Sequence, residues 1–202
     1  FIPFCKEHFH LSQFQSQLID STFYGGYFIG SLILFLYTFL KKRDFVNEHG
    51  YAKSFSIGLV ISAVGALCMI PSLHIGSYGL ILTSFFIIAL GFCLQQTAAN
   101  PFVILLGDQR TGAHRLNLAG GVNSFGTTIG PLIVAFFLFG GFFASGASGD
   151  GVQLKSVDTL YIILVVLFLA MALGLRFMKI EEVTKVTEEN FSFAALKYPQ
   201  LV

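Results

Sequence analysis

The chain has 202 residues, of which 54% are hydrophobic and 11% charged, with a formal net charge of +1. A soluble domain averages about 25% charged residues, so this composition belongs to the membrane class and excludes an ordinary soluble core. The near-zero net charge argues against a nucleic-acid surface. Cys5, Cys68 and Cys93 have no metal-ligand spacing, and the latter two read as buried apolar fillers.

The chain opens at Phe1, without Met, on the apolar run FIPF. A fragment lacking its natural start is expected. Residues 1–13 read as the end of one span followed by an external polar loop, because Pro3, Lys6, Glu7, His8 and His10 cannot lie in hydrocarbon. His8 and His10 lie two apart, but no carboxylate or Cys cluster completes a metal site. A solvated loop is expected there.

The first complete span covers residues 14–40. No charge falls between Asp20 and Lys41, which is roughly the 20 residues of a bilayer crossing. Asp20 reads as a boundary residue near the outer end. Gly25, Gly26 and Gly30 sit at the centre, and the last two make a GxxxG that lets another helix approach. Tyr24 and Tyr27 share a face. They read as interfacial anchors or as walls of a cavity, with the deeper Tyr27 expected in the wall.

The basic loop KKRDFVNEHGYAKS follows. The second span, residues 54–70, carries a stripe of small residues at Gly58, Ser62 and Gly65, and Pro71 is expected to end it. A short turn with an exposed His74 leads to the third span, residues 78–106. The fourth is residues 116–143. After a Gly/Ser-rich loop, Asp158 or Thr159 is expected to cap the fifth span, residues 160–177. It has no strongly polar residue between Tyr161 and Arg176 and reads as the most lipid-facing helix. Residues 179–202 read as a cytoplasmic linker, with a short amphipathic helix at 191–198. The fold class expected is all-α, a polytopic membrane helix bundle whose body is residues 14–178.

Charge orients the spans. Lys41, Lys42, Arg43, Lys53, Arg110, Arg115, Arg176, Lys179, Lys185 and Lys197 fall on one side, and Lys6 and Lys155 on the other. The first side is cytoplasmic by the positive-inside rule.

The densest polar stretch is CLQQTAANPFVILLGDQRTGAHRLNLAGGVNSFGTTIG. Gln95, Gln96, Thr97 and Asn100 end one apolar run; Asn117, Asn123, Ser124, Thr127 and Thr128 open the next. Hydrocarbon offers such groups no partners, so they bind each other or a ligand. Gln96 and Asn100 are one turn apart and share a face. Pro101 lacks an N–H and frees the carbonyl of Thr97. Amides donate and accept, which suits a hydroxyl-rich ligand. Gly120, Asn123 and Thr127 share a face of the next span, where the glycine leaves room for a ligand or for another helix. The substrate site is expected from Gln96, Asn100, Asn123, Gln95, Tyr27 and Thr127. Arg110 and Arg115 read as gating or orientation residues, or as a plain solvated loop. No nucleophile triad, metal cluster or phosphate loop is visible, so an enzyme reading has no residues to carry it.

At CLQQTAANPFVILLG and RLNLAGGVNSFGTTIGP the chain resembles the fucose–galactose–proton symporter family of the major facilitator superfamily. LSQFQSQLIDSTFYGGYFIGSL is similar to that family's second helix, HGYAKS to its basic loop before helix three, and FSFAALKYPQLV to the run-in to helix seven. The resemblance implies twelve helices in two six-helix halves around a central sugar site open alternately to each side. This chain would be the first half without most of helix one, in the cytoplasmic (inner) membrane, and its partner would be the C-terminal half. It implies transport of a monosaccharide such as fucose, glucose or galactose, coupled to protons and without a cofactor. It sets Gln96 where the fucose branch has a carboxylate and the glucose/galactose branch a glutamine. Asn123 matches a sugar-site asparagine. Gly120 stands where members usually have a glutamine, so that contact is lost. The branch's helix-one aspartate would lie just before Phe1. A non-transporting sugar sensor, or a degraded half-transporter of the same fold, is the alternative.

Overall fold

A helix is the only way a single apolar segment can satisfy its own backbone in lipid, and the described structure is helical throughout. The computed structural model describes residues 5–6, 9–139 and 154–177. Its helices are α1 (Gln13–Lys41), the short α2 (Phe45–His49), α3 (Tyr51–Ile75), α4 (Tyr78–Leu105), α5 (Gly112–Phe139) and α6 (Leu154–Phe177), with a 3-10 turn at Gln109–Thr111. Five of these are long and apolar enough to cross a membrane. The expected Gly/Ser-rich loop and the expected helix at 191–198 lie outside the described residues.

Local sequence sets the helix ends. Ser12 caps α1: its hydroxyl accepts from the Gln15 N–H, and the Gln15 side chain accepts from the Ser12 N–H. The basic loop holds more order than expected. Asp44 caps α2 through the Val46 N–H, and the Tyr37 hydroxyl donates to Glu48 at 2.9 Å. This ties the loop to α1.

Pro71 does not end the second span. α3 runs through it to Ile75. The ring faces outward, while Ser72 and Leu73 are buried beside it, so packing holds the turn that proline weakens. The Ser72 hydroxyl also donates to the Cys68 carbonyl at 2.6 Å. The stop is Gly76, at φ +70, whose N–H returns to the Leu73 carbonyl. That left-handed position is cheap only for glycine.

α4 is the axis of the bundle, with α3 on one face and α1 on another; α6 packs along α3. Buried Gly58, Ser62, Gly65, Met69 and Ser72 on α3 meet buried Ser84, Ile88, Gly91, Gln95 and Ala98 on α4. Both sets alternate steps of four and three, the 3.5-residue period of helices that wind around each other. The backbones are close. A methyl on Gly91 would run into the Ser62 hydroxyl and lie 2.6 Å from the Gly58 carbonyl oxygen. The GxxxG of α1 serves the second seam: a Cβ on Gly26 would lie 2.9 Å from Ala89 Cβ, and one on Gly30 3.1 Å from Cys93 Cβ.

α6 differs from expectation twice. It starts at Leu154, so neither Asp158 nor Thr159 is its cap. Asp158 instead meets His74 at 2.8 Å, joining the outer ends of α6 and α3. Nor is α6 the most exposed span. Val157, Leu160, Tyr161 and Ala172 are buried, whereas no residue of the apolar window of α5 is buried. Apolar side chains serve protein packing as well as lipid, so composition alone misranks the two helices.

Candidate functional site

The polar stretch divides between two opposite environments. Consecutive residues of a helix point about 100° apart, so Gln95 and Gln96 cannot share one. Gln95 turns into the α3–α4 seam and is 7% exposed. Its amide donates to the Ser62 hydroxyl at 2.9 Å, and that hydroxyl contacts the Ile88 carbonyl at 3.4 Å. This is interhelical bonding of the kind that holds membrane helices together. Gln96 and Asn100 are exposed on the face of α4 that neither α3 nor α1 occupies. Thr97, exposed between them, gives its hydroxyl proton to the Cys93 carbonyl at 2.9 Å.

Pro101 lies inside α4, which continues to Leu105. The carbonyl of Thr97, four residues back, therefore has no N–H to receive at that position.

Asn123 and Thr127 are exposed on α5. Thr127 donates to the Ser124 carbonyl at 2.8 Å, so its hydroxyl is left to a ligand as an acceptor. Built methyls on Gly120, Gly121, Gly126 and Gly130 would meet nothing within 4 Å. Among the described residues, no helix packs on these glycines. Tyr27 emerges beside the α1–α4 seam, 37% exposed.

The two arginines have different surroundings. Arg115 folds back on the end of α4. Its Nε donates to the Val103 carbonyl at 3.0 Å and its Nη2 to the Asp108 carbonyl at 3.0 Å and to the Ile104 carbonyl, while Nη1 reaches Thr111 Oγ1 at 2.7 Å. One planar guanidinium thus satisfies the last carbonyls of a helix and ties them to the start of the next. Arg110 has an exposed side chain, and its backbone N–H goes to Asp108 Oδ1 at 3.0 Å. Arg115 lies in the first turn of α5, beyond the loop that follows Leu105, so no local sequence signal marked its clasp on the end of α4. The Gln95–Ser62 bond joins residues far apart in the chain and had no local signal. No group of three or more His, Cys, Asp or Glu capable of holding a metal occurs among the described residues.

The model of the Major Facilitator Superfamily matches residues 1–198. A Helicobacter pylori protein provisionally named glucose/galactose transporter is 35% identical over 191 residues, covering 91% of this chain and 44% of the relative. The glucose/galactose transporter of Brucella abortus is 31% identical over 207 residues, covering 100% and 47%. The L-fucose-proton symporter of Escherichia coli is 41% identical over 128 residues, covering 63% and 27%. The chain spans less than half the length of these relatives. In three dimensions it superposes on a crystal structure of the transporter FucP in the outward conformation, with a TM-score of 0.72 and 30% identity, over 96% of this chain and 49% of that one.

Proposed function

The chain belongs to the major facilitator superfamily, and on that premise we propose that it forms the N-terminal half of a proton-coupled transporter carrying a monosaccharide such as fucose, glucose or galactose. Its relatives are named as transporters of such sugars, and one as a proton symporter. The observation that carries the reading is the open polar face of α4. Gln96 and Asn100 lie one turn apart there, exposed, with no hydrogen bond to another described residue. In a span, such amides need a polar ligand or a polar partner. Each offers donors and an acceptor, the match to vicinal hydroxyls.

In this reading Gln96, Asn100 and Asn123 donate to and accept from the sugar. Thr127 accepts a hydroxyl proton, and Tyr27 walls the cavity. Gln95 stays outside the site as the tie between α3 and α4. Arg115 fixes the joint of α4 and α5, and so the relative placement of Gln96 and Asn123; Arg110 stands at the same joint. Gln96 is an amide and carries no transferable proton. Coupling therefore rests on an acid elsewhere, which the family resemblance sets just before Phe1. Alternation between two states draws on differential binding of the sugar and proton. No covalent step is involved.

The test uses the whole protein in which this chain is one half. A lost hydrogen bond to an uncharged group costs roughly 0.5–1.5 kcal/mol, and a tenfold change in affinity is about 1.4 kcal/mol. Gln96→Ala and Asn123→Ala should each weaken sugar binding by roughly threefold to tenfold in calorimetry. Gln96→Glu should make binding depend on pH, with a titration raised above the usual carboxylate range by the desolvation a carboxylate meets in the sugar cavity of the whole protein. Unchanged affinity in both alanine variants would place the site elsewhere.

A further inference from the structure

Pro101 leaves a gap in the hydrogen-bond ladder of α4. The helix runs on to Leu105, and the Thr97 carbonyl points along its axis at a residue with no N–H. In a span such a carbonyl is satisfied by a neighbouring hydroxyl, water, a packed helix or a ligand. The nearest protein donors are committed elsewhere. The Thr97 hydroxyl gives its proton to the Cys93 carbonyl, one turn back. The Arg115 guanidinium serves the carbonyls of Val103, Ile104 and Asp108. Among the described residues, no side chain donates to the Thr97 carbonyl. The gap is open and its surroundings are polar: Thr97 and Asn100 are exposed and Pro101 is half-buried, with Gln96 exposed on the same side. Pro71 opens an equivalent gap behind Leu67 on α3. There, exposed Val60, Val64 and Leu67 line the face, and α3 contains no Asn or Gln.

We propose that the Thr97 backbone carbonyl is a binding group for the sugar, accepting a hydrogen bond from one hydroxyl, and that Pro101 is the positioning residue that keeps it free. The inference rests on the transporter reading above and deepens it by naming a contact. A carbonyl only accepts, so it takes a free hydroxyl and rejects an ether oxygen or a bare hydrogen at that position of the ring. The hydroxyl that donates to it keeps its own lone pairs for the N–H of the Asn100 or Gln96 amide, and each bond polarises the other. Being part of the helix, the carbonyl gives up no rotamer freedom on binding, unlike a side-chain acceptor. The gap thus sets one fixed acceptor beside two amides that can turn either end to the sugar.

Ala98 and Ala99 follow Thr97, and lactic acid is the ester counterpart of alanine, so the whole protein allows a matched pair. Ala98→lactic acid turns the Thr97–Ala98 amide into an ester and makes the Thr97 carbonyl a weaker acceptor. Ala99→lactic acid removes one helix N–H in the same way, but weakens the Ala98 carbonyl, whose partner four residues on has its N–H. Binding of D-galactose, D-glucose and L-fucose is measured by calorimetry. For the sugar that binds, Ala98→lactic acid should weaken affinity roughly twofold to fivefold, and Ala99→lactic acid should leave it unchanged. Pro101→Ala restores the N–H that closes the gap and should weaken affinity roughly threefold to tenfold, whereas Pro71→Ala should not alter it. One monodeoxy form of that sugar should lose nothing further in Ala98→lactic acid, because the hydroxyl concerned is already gone. Equal effects of the two esters, or full additivity with every monodeoxy form, would overturn this contact and leave the transporter reading standing. A wild-type protein that binds none of the three sugars would overturn that reading, and the contact with it.

Discussion

The Ser62 hydroxyl stands between the Gln95 amide at 2.9 Å and the Ile88 carbonyl at 3.4 Å, inside the buried α3–α4 seam. Removing one member of such a set strands another, at about 1–3 kcal/mol for a buried polar group. Interhelical bonds in membranes average nearer 0.6 kcal/mol, because the separated helices also find partners. Gln95→Ala should therefore destabilise the bundle by about 1–2 kcal/mol and leave sugar affinity intact in the whole protein. Gln96→Ala should do the reverse. Denaturant unfolding and calorimetry on the same two preparations separate the roles. Loss of affinity in Gln95→Ala at native stability would move that residue into the site. Tyr27 and Asn100 are argued on the same ground of exposure beside a packed seam.

Elements in this bundle differ in how much of their surface is taken. α4 gives one face to α3, a second to α1, and keeps the face with Gln96 and Asn100 open. Gly91→Ala puts a methyl against backbone and hydroxyl oxygen, where neither side can yield without parting the helices. It should destabilise by about 1–3 kcal/mol or more, as overpacking does. Gly121→Ala on α5 meets open space and should change stability by less than about 1 kcal/mol, in the direction of better helix propensity. An equal effect of the two in unfolding titrations would refute the close α3–α4 seam. The joint of α4 and α5 hangs on Arg115. Arg115→Lys keeps the charge, yet a single ammonium cannot span the carbonyls of Val103, Ile104 and Asp108. Hydrogen exchange at residues 107–111 should speed up severalfold in that variant; unchanged exchange would mean the loop is held by its own turn.

At the scale of the whole molecule, α5 decides the reading. None of its apolar window is buried among the described residues. In the proposed two-half transporter its open glycines and amides face the second half or the ligand. The chain alone should therefore not transport. Liposomes carrying only these 202 residues should take up labelled sugar no faster than protein-free liposomes, and faster uptake would defeat the two-half argument. Sidedness is tested separately. In a variant with Cys5, Cys68 and Cys93 replaced, Gly79→Cys at the start of α4 should react with an impermeant thiol reagent in intact cells, and Lys41→Cys at the end of α1 should not. Gly79 suits the purpose because a side chain there meets nothing within 4 Å.

Much of the architecture was legible in the chain itself. Hydropathy is a sum over neighbours, and so are span length and charge bias; these placed all five spans within a few residues at most ends and set the basic loops on one side. The glycine and small-residue stripes of α1 and α3 were readable for the same reason, since their spacing is that of one helix face. Tertiary structure decided what each face meets. Pro71 is carried through because Ser72 and Leu73 are packed against α4. α6, the more apolar helix, is partly covered, and α5, the more polar one, stands open. Gln95 and Gln96, identical in chemistry and adjacent in sequence, part by 100° into a seam and an open face. A residue's type states what partners it needs. Which partner is within reach depends on segments tens of residues away, and only the packed bundle brings them there.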